Sequence, residues 1–263
     1  MKKTIITILI VFITFSAFSY SKEKLEHAET YSSGDEKYDD IKYVVKKLHI
    51  QMDKHFEKKV EQLQSDDLLK GHGFFTTDRV IEYANYGAKK MSLEYTLRLY
   101  NESFESFVSK ISPHDWGLYL HKLIGRGISD IVTNEEGFVT QQVERMVLKS
   151  FPFNLDMTKT EVIEYKNDKI TVYWRVFESK NKSTLSDIGS VSFIRKGDSQ
   201  TLVKFRSAHL LGSNPFIEVA VPNLPTIQKQ IKDTFLDHLE SYKKRIESAN
   251  NKYPRNQEGL TPI

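Results

Sequence analysis

The side chains of this sequence that could carry chemistry are its eight histidines, a few carboxylates and three arginines in strand-like runs. His49 and His55 are six apart, so they do not share a helix face as residues three or four apart do. His114 and His121 flank Trp116, but without the His-Glu-x-x-His spacing that places two imidazoles on one metal. His209 stands apart, because it alternates in phase with Val203, Phe205 and Ser207. There an imidazole would offer a polar contact inside a pocket or a hydrogen bond at its rim. Arg145, Arg175 and Arg206 belong to three separate runs. Turned inward, one could hold an acidic head group through two parallel bonds; the solvated face is the expected place, since arginine is rarely fully buried. Glu161 and Glu164 have no visible acid–base partner, which leaves paired-carboxylate hydrolysis unsupported. The nucleophile elbow, the phosphate loop and the dinucleotide fingerprint are all missing, and Gly125-Arg126-Gly127 reads as a turn. With no cysteine there is no disulfide, thiolate metal site, thiol nucleophile or lipid-modified cysteine. The residues therefore lead us to expect no catalytic group, no metal and no cofactor.

The chain opens with Met1-Lys2-Lys3, an apolar run from Thr4 to Phe18, and the small residues Ala17 and Ser19 around Phe18. This is the pattern of a secretory signal, residues 1–19. The run is about fifteen residues, short of the roughly twenty a spanning helix needs; an uncleaved N-terminal anchor is the alternative. Export, to the periplasm in a bacterium, is the expectation. The formal charge is +3, and loss of Lys2 and Lys3 would lower it further. Nucleic acid is disfavoured as a partner, because its binding is driven by neutralising phosphates.

The elements that must position any site follow. Residues 20–40 are polar and charged and read as a flexible leader. Asp39 or Asp40 is expected to cap a helix in which Ile41, Val44, Val45, Leu48, Met52, Phe56, Val60 and Leu63 recur every three or four residues. With the stretch to Lys90 it makes an N-terminal helical extension, residues 41–90. Met91, Leu93, Tyr95, Leu97 and Leu99 then alternate with Ser92, Glu94, Thr96 and Arg98, as in a half-buried strand. Two short helical pieces follow, Glu102–Lys110 and Asp115 to about Ile124. Strand-like runs come next at Ile128–Thr133, Phe138–Lys149, Thr160–Tyr165, Ile170–Glu178, Ile188–Arg195 and Thr201–Leu211. Their short turn-like breaks favour antiparallel hairpins. A last amphipathic helix starts near Asn223, Pro225 and Thr226 and repeats Ile227, Ile231, Phe235, Leu239, Tyr242 and Ile246. Its final cations suit the helix dipole. The tail, residues 249–263, reads as loose.

This order, an α+β chain whose antiparallel sheet is closed by one long C-terminal helix, resembles the helix-grip architecture over residues 91–248. That is the fold of the START-related lipid-transfer domains and the wider SRPBCC superfamily, which includes the birch pollen allergen and the polyketide cyclases. The resemblance is carried by Glu102-Ser-Phe-Glu-Ser-Phe-Val-Ser-Lys-Ile111 leading into Asp115-Trp116. It is carried again by Gly189-Ser-Val-Ser-Phe-Ile-Arg-Lys-Gly-Asp198 followed by Thr201-Leu-Val-Lys-Phe205. It implies a cavity between sheet and helix that holds a lipid or another hydrophobic small molecule.

Alternation turns Val172, Trp174 and Val176 inward with Ile170, and likewise Val191 with Phe193 and Val203 with Phe205. With Trp116, His209, Ile231, Phe235 and Leu239 they are the expected ligand-binding set. The same residues would equally make a packed core, since alternation shows a buried face and not a void. Phe151-Pro-Phe-Asn-Leu-Asp156 and Leu210-Leu-Gly-Ser-Asn-Pro-Phe-Ile217 are expected at the mouth, where aromatic residues would suit transient membrane contact. Three functions fit: a non-catalytic lipid-binding or transfer protein first, then a module that binds an envelope protein partner through the first helix, then a cyclase.

Overall fold

The computed structural model describes residues 36–82, 88–149, 154–180, 184–211, 221 and 223–248. The expected signal at 1–19 and tail at 249–263 lie outside these residues, as do most of the two expected mouth segments.

Helix α1 (Glu36–Glu61) and a short α2 (Ser65–Lys70) precede strands β1 (His72–Glu82) and β2 (Ala88–Tyr100). Helix α3 (Phe104–Lys110) and a 3-10 turn (Pro113–Tyr119) lead into β3 (Leu123–Thr133), β4 (Val139–Leu148) and β5 (Leu155–Lys166). Strands β6 (Lys169–Ser179), β7 (Thr184–Lys196) and β8 (Gln200–Leu211) follow, and α4 (Pro225–Glu247) ends the described chain. One eight-stranded antiparallel sheet runs in the order β1-β2-β8-β7-β6-β5-β4-β3. Every neighbour is a hairpin partner except β2 and β8, whose pairing brings the first part of the sheet beside its last strand.

Helix α4 crosses one face of this sheet. Tyr100 donates its hydroxyl to the Leu239 carbonyl at 2.7 Å, and Tyr242 donates to the Trp116 carbonyl at 3.2 Å. Between α4 and the sheet lies a core that includes Trp116, Val172, Trp174, Val191, Phe193, Val203, Phe205, Leu239 and Tyr242. Helix α1 covers the opposite face. Its Ile41, Val44, Val45, Leu48, Met52 and Phe56 pack on Met91, Leu93, Tyr95 and Leu97 of β2 and on Tyr173, Ile188, Leu202 and Ala208. The middle of the sheet is thus buried on both sides, each face needing an apolar partner layer.

Several expectations are corrected by this arrangement. Helix α1 begins at Glu36, so Asp39 and Asp40 lie inside it and neither caps it. The stretch after α2 is an edge strand, not part of a helical extension, and Gly71-His72-Gly73 leads straight into it. Gly125-Arg126-Gly127 lies within β3, which starts earlier than expected because the second helical piece is only the 3-10 turn. Residues 155–159, expected to link two strand-like runs, are themselves strand, paired with β4. Strand β2 is not half-exposed: Ser92, Glu94, Thr96 and Arg98 are as buried as the apolar residues between them. Arg175 and Arg206 do point to the face away from α4, but both are buried there, and Arg206 reaches Asp53 of α1 at 3.1 Å. Arg145 stays at the surface and grips Asp156 with two bonds, at 3.0 and 2.8 Å.

Candidate functional site: a polar cluster in an aromatic interior

The inward faces of β6 and β8 set the centre of the interior. Trp174 stacks on Trp116 with ring centres 5.2 Å apart, and Phe205 lies 5.0 Å from Trp174. Phe235 of α4 meets Phe205 at 5.1 Å, so the helix closes on the sheet through an unbroken chain of rings. Gly189 makes room for this. A Cβ there would lie 2.2 Å from the Arg206 carbonyl oxygen and 2.6 Å from Cζ2 of Trp174.

Of the expected ligand-binding set, the structure gathers Trp116, Val172, Trp174, Val191, Phe193, Val203, Phe205 and Leu239 into one buried cluster, with Phe235 packed against it. Val176 is buried on the same strand, nearer its end. Ile231, a turn earlier on α4 than Phe235, is only partly covered.

His209 is also inward, and it is not alone. Its Nδ1 lies 3.4 Å from Asp187 Oδ2, and its Nε2 lies 3.4 Å from Glu94 Oε2 and 3.2 Å from Ser207 Oγ. Ser207 donates its hydroxyl to Asp187 Oδ1 at 2.5 Å, and the Trp174 indole N–H reaches the same oxygen at 3.3 Å. Strand pairing explains the assembly: His209 stands opposite Ser92 on one side and Asp187 on the other, with Glu94 opposite Ser207. Burial alone would lower the His209 pKa, but the Asp187 charge and the Glu94 contact win and raise it to about 9. Burial pushes the Glu94 carboxyl up to about 7, against the pull of His209. At neutral pH the cluster therefore holds an imidazolium between two acids, one of them close to half-protonated. This cluster sits towards the end of the sheet where β8 ends, β7 begins and α4 starts.

A second polar group lies across the aromatic centre, on β4 and β5. The Lys159 ammonium bridges Glu144 Oε2 at 2.9 Å and Glu161 Oε1 at 2.8 Å, with the Trp116 ring centre 3.9 Å away. Glu161 also accepts from the Trp116 indole at 2.9 Å and from the Gln142 amide at 2.6 Å. Arg126 ties Glu144 to Asp115, donating to Asp115 Oδ1 at 2.8 Å. Gly117 of the 3-10 turn lies over this carboxylate; a Cβ would come within 2.7 Å of Glu144 Oε1. Glu161 thus has a full set of partners, contrary to the expectation, while Glu164 lies on the other face beneath Lys42 and Lys46 of α1. His238 of α4 is a further buried histidine. It accepts from the His121 backbone N–H at 2.9 Å, and burial with nearby positive charge lowers its pKa to about 3, so it is neutral.

Sequence reading missed Glu94, Asp187, Glu144, Lys159 and His238 as interior residues. The available signal was in phase alone: Gln142 and Glu144 fall in phase with Met146 and Leu148, and Lys159 and Glu161 with Ile163.

No protein-family model and no curated protein matches the chain. Solved structures do resemble it. The protein TTHA0849 from Thermus thermophilus aligns at 15% identity and a TM-score of 0.46, over 59% of this chain and 97% of that one. The human StAR-related lipid transfer protein 5 aligns at 13% identity and 0.43, over 76% and 96%. The Zhui aromatase/cyclase from Streptomyces sp. R1128 aligns at 9% identity and 0.42, over 61% and 98%. At such scores these likenesses say nothing of ligand or activity. The architecture itself is decided by the strand order and by α4 lying across the inner face. The chain has a helix-grip fold. In it β2 and β8 close the grip around α4, and α1 with β1 are additions outside it.

Proposed function

We propose that this chain is an exported, non-catalytic binding or transfer protein that holds a lipid or other hydrophobic ligand between the sheet and α4. The observation that carries the reading is the interior itself: an aromatic and aliphatic layer under α4 with a buried polar cluster at one end. Apolar walls with a few placed polar groups are the usual composition of a ligand site. Each methylene withdrawn from water contributes roughly 0.8 kcal/mol, so a fatty-acyl-sized body would bind with few polar contacts. Entry requires Phe235 and its neighbours on α4 to part from Phe205. The half-covered first turns of α4, around Ile231, favour that end for the movement.

Catalysis is the weaker reading for a chemical reason. Ser207 spends its proton on Asp187, and His209 is already protonated at neutral pH, so neither stands ready as nucleophile or base. Lys159 is held charged by two carboxylates and is no better placed. Export is supported by the pattern of residues 1–19.

A second reading, a module that binds an envelope protein, is favoured by one observation. Ile131, Val132 and Phe138 are exposed together on the β3–β4 hairpin. The apolar stripe of α1, the contact expected for such a partner, is spent on the sheet.

Mass spectrometry of an organic extract tests the reading, made on protein purified from its own envelope without detergent. A stoichiometric hydrophobic molecule is expected, lost in folded Phe235→Asp or Trp174→Asp variants. A folded wild-type protein that is empty and takes up no lipid would overturn it.

A further inference from the structure

Two oxygen atoms on the inner face of β2 have no hydrogen-bond partner among the described residues. One is Glu94 Oε1 and the other Thr96 Oγ1, on residues only 2% and 1% exposed. They are two positions apart on one strand and so project to the same side. That side is the α4 side, because the intervening Leu93, Tyr95 and Leu97 pack beneath α1. The Thr96 methyl also lies close to where a Cβ on Gly73 would stand, and that point is flanked by Lys232 and Leu236 of α4. Buried polar atoms are nearly always paired, so two orphans side by side under the closing helix need an explanation.

We propose that Glu94 and Thr96 form a head-group subsite that selects a hydrophobic ligand ending in a hydroxyl over one ending in a carboxylate. The inference rests on the ligand-holding reading above and specifies its cargo. A hydroxyl donates one hydrogen bond and accepts others, which matches a carboxylate oxygen and a threonine O–H in turn. A terminal carboxylate only accepts. It would face Glu94 and Asp187, both acidic, while His209 and Arg98, two cations beside them, are already engaged. His209 is bracketed by those two acids through both ring nitrogens, and Arg98 is paired with Glu240 of α4. Like charges this close in a poorly solvated interior repel strongly.

The experiment compares binding of hexadecan-1-ol and hexadecanoate, each radiolabelled and delivered from cyclodextrin, to the whole folded protein at pH 8. We expect the alcohol to bind at least about tenfold more tightly, the usual worth of a charge-assisted hydrogen bond. Glu94→Gln should narrow that preference by admitting the acid, and Thr96→Val should weaken the alcohol while leaving the acid unchanged. The valine variant keeps the shape of the site and serves if the glutamine variant does not fold. Equal binding of both chains, unmoved by either substitution, would overturn the subsite and leave the two oxygens served by water, with the ligand-holding reading intact. Failure of either chain to bind the folded wild type would instead remove that reading and the subsite together.

Discussion

Gly189 of β7 lies against the indole of Trp174 on β6, and the absence of a side chain at one is what lets the other lie flat on the sheet. A Cβ at Gly189 would meet both the ring and a backbone carbonyl oxygen, and the carbonyl cannot swing away. Gly189→Ala is therefore expected to cost about 3 kcal/mol or more, as overpacking of a rigid core does. Urea unfolding followed by near-ultraviolet circular dichroism reads both the loss and the altered indole packing. An unchanged midpoint would mean that Trp174 is free to move.

Lys159 is the counter-ion of two buried carboxylates, and removing it leaves Glu144 to Arg126 alone and Glu161 with no cation. Lys159→Met should destabilise by about 3–5 kcal/mol, the range for breaking a buried ion pair from one side. Adding Glu161→Gln should recover part of the loss, because the carboxylate left without a cation disappears. Denaturant midpoints of the single and double variants decide it; a double variant less stable than the single one would show that Glu161 is held by Trp116 and Gln142 alone.

Stability should fall on the alkaline side of neutrality. The folded His209 pKa is raised above its ordinary value of 6.5 to about 9. Its contribution is then fully present below about pH 6.5 and is lost as pH rises through 9, a change of up to about 3 kcal/mol. Glu94, raised to about 7, acts in the same direction, since its proton stabilises the fold and is lost as pH rises. His238 acts oppositely: lowered to about 3, it favours the fold above pH 6.5 and progressively less as pH falls. Unfolding free energies at pH 6.5 and 9 should differ in the wild type and much less in His209→Gln.

Phe56 of α1 is fully buried against the outer face of the sheet, where it meets Tyr95 and Phe74 at ring distances of 5.5 and 5.6 Å. Phe56→Ala is expected to cost about 3–5 kcal/mol. A chain lacking residues 36–61 should expose Met91, Leu93 and Leu97 and bind a hydrophobic dye. Were that truncated chain to stay folded and dye-negative, α1 would be an accessory and not a layer of the core.

The inward apolar positions on β6, β7 and β8 were legible because period-two alternation there is strict: Val172 and Trp174 face in while Tyr173 faces out. The stripe of α1 was equally plain, but a stripe says only that a partner exists, not which face supplies it. That ambiguity propagated. Glu94 and Thr96 alternate with apolar residues and so read as solvent-facing, whereas α1 takes the apolar side of β2 and α4 covers the polar one. Strand β1 escaped for another reason. Its Phe74-Phe75 and Thr76-Thr77 doublets break the alternation, and the pairing with β2 is irregular between Thr76 and Arg79. The charged group of Glu144, Lys159 and Glu161 needed the β4–β5 register, which sets Glu144 opposite Lys159 and which local pattern does not supply.

The most direct test uses the two tryptophans of the chain, Trp116 and Trp174, which stack on each other in the interior under α4. Their fluorescence can be titrated with a brominated long-chain alcohol, 9,10-dibromooctadecan-1-ol, since bromine quenches only at contact. A ligand held between sheet and α4 predicts saturable quenching at one molecule per chain, reversed by unbrominated octadecanol. Binding of the alcohol with no quenching would put the ligand somewhere else on the molecule and contradict the account.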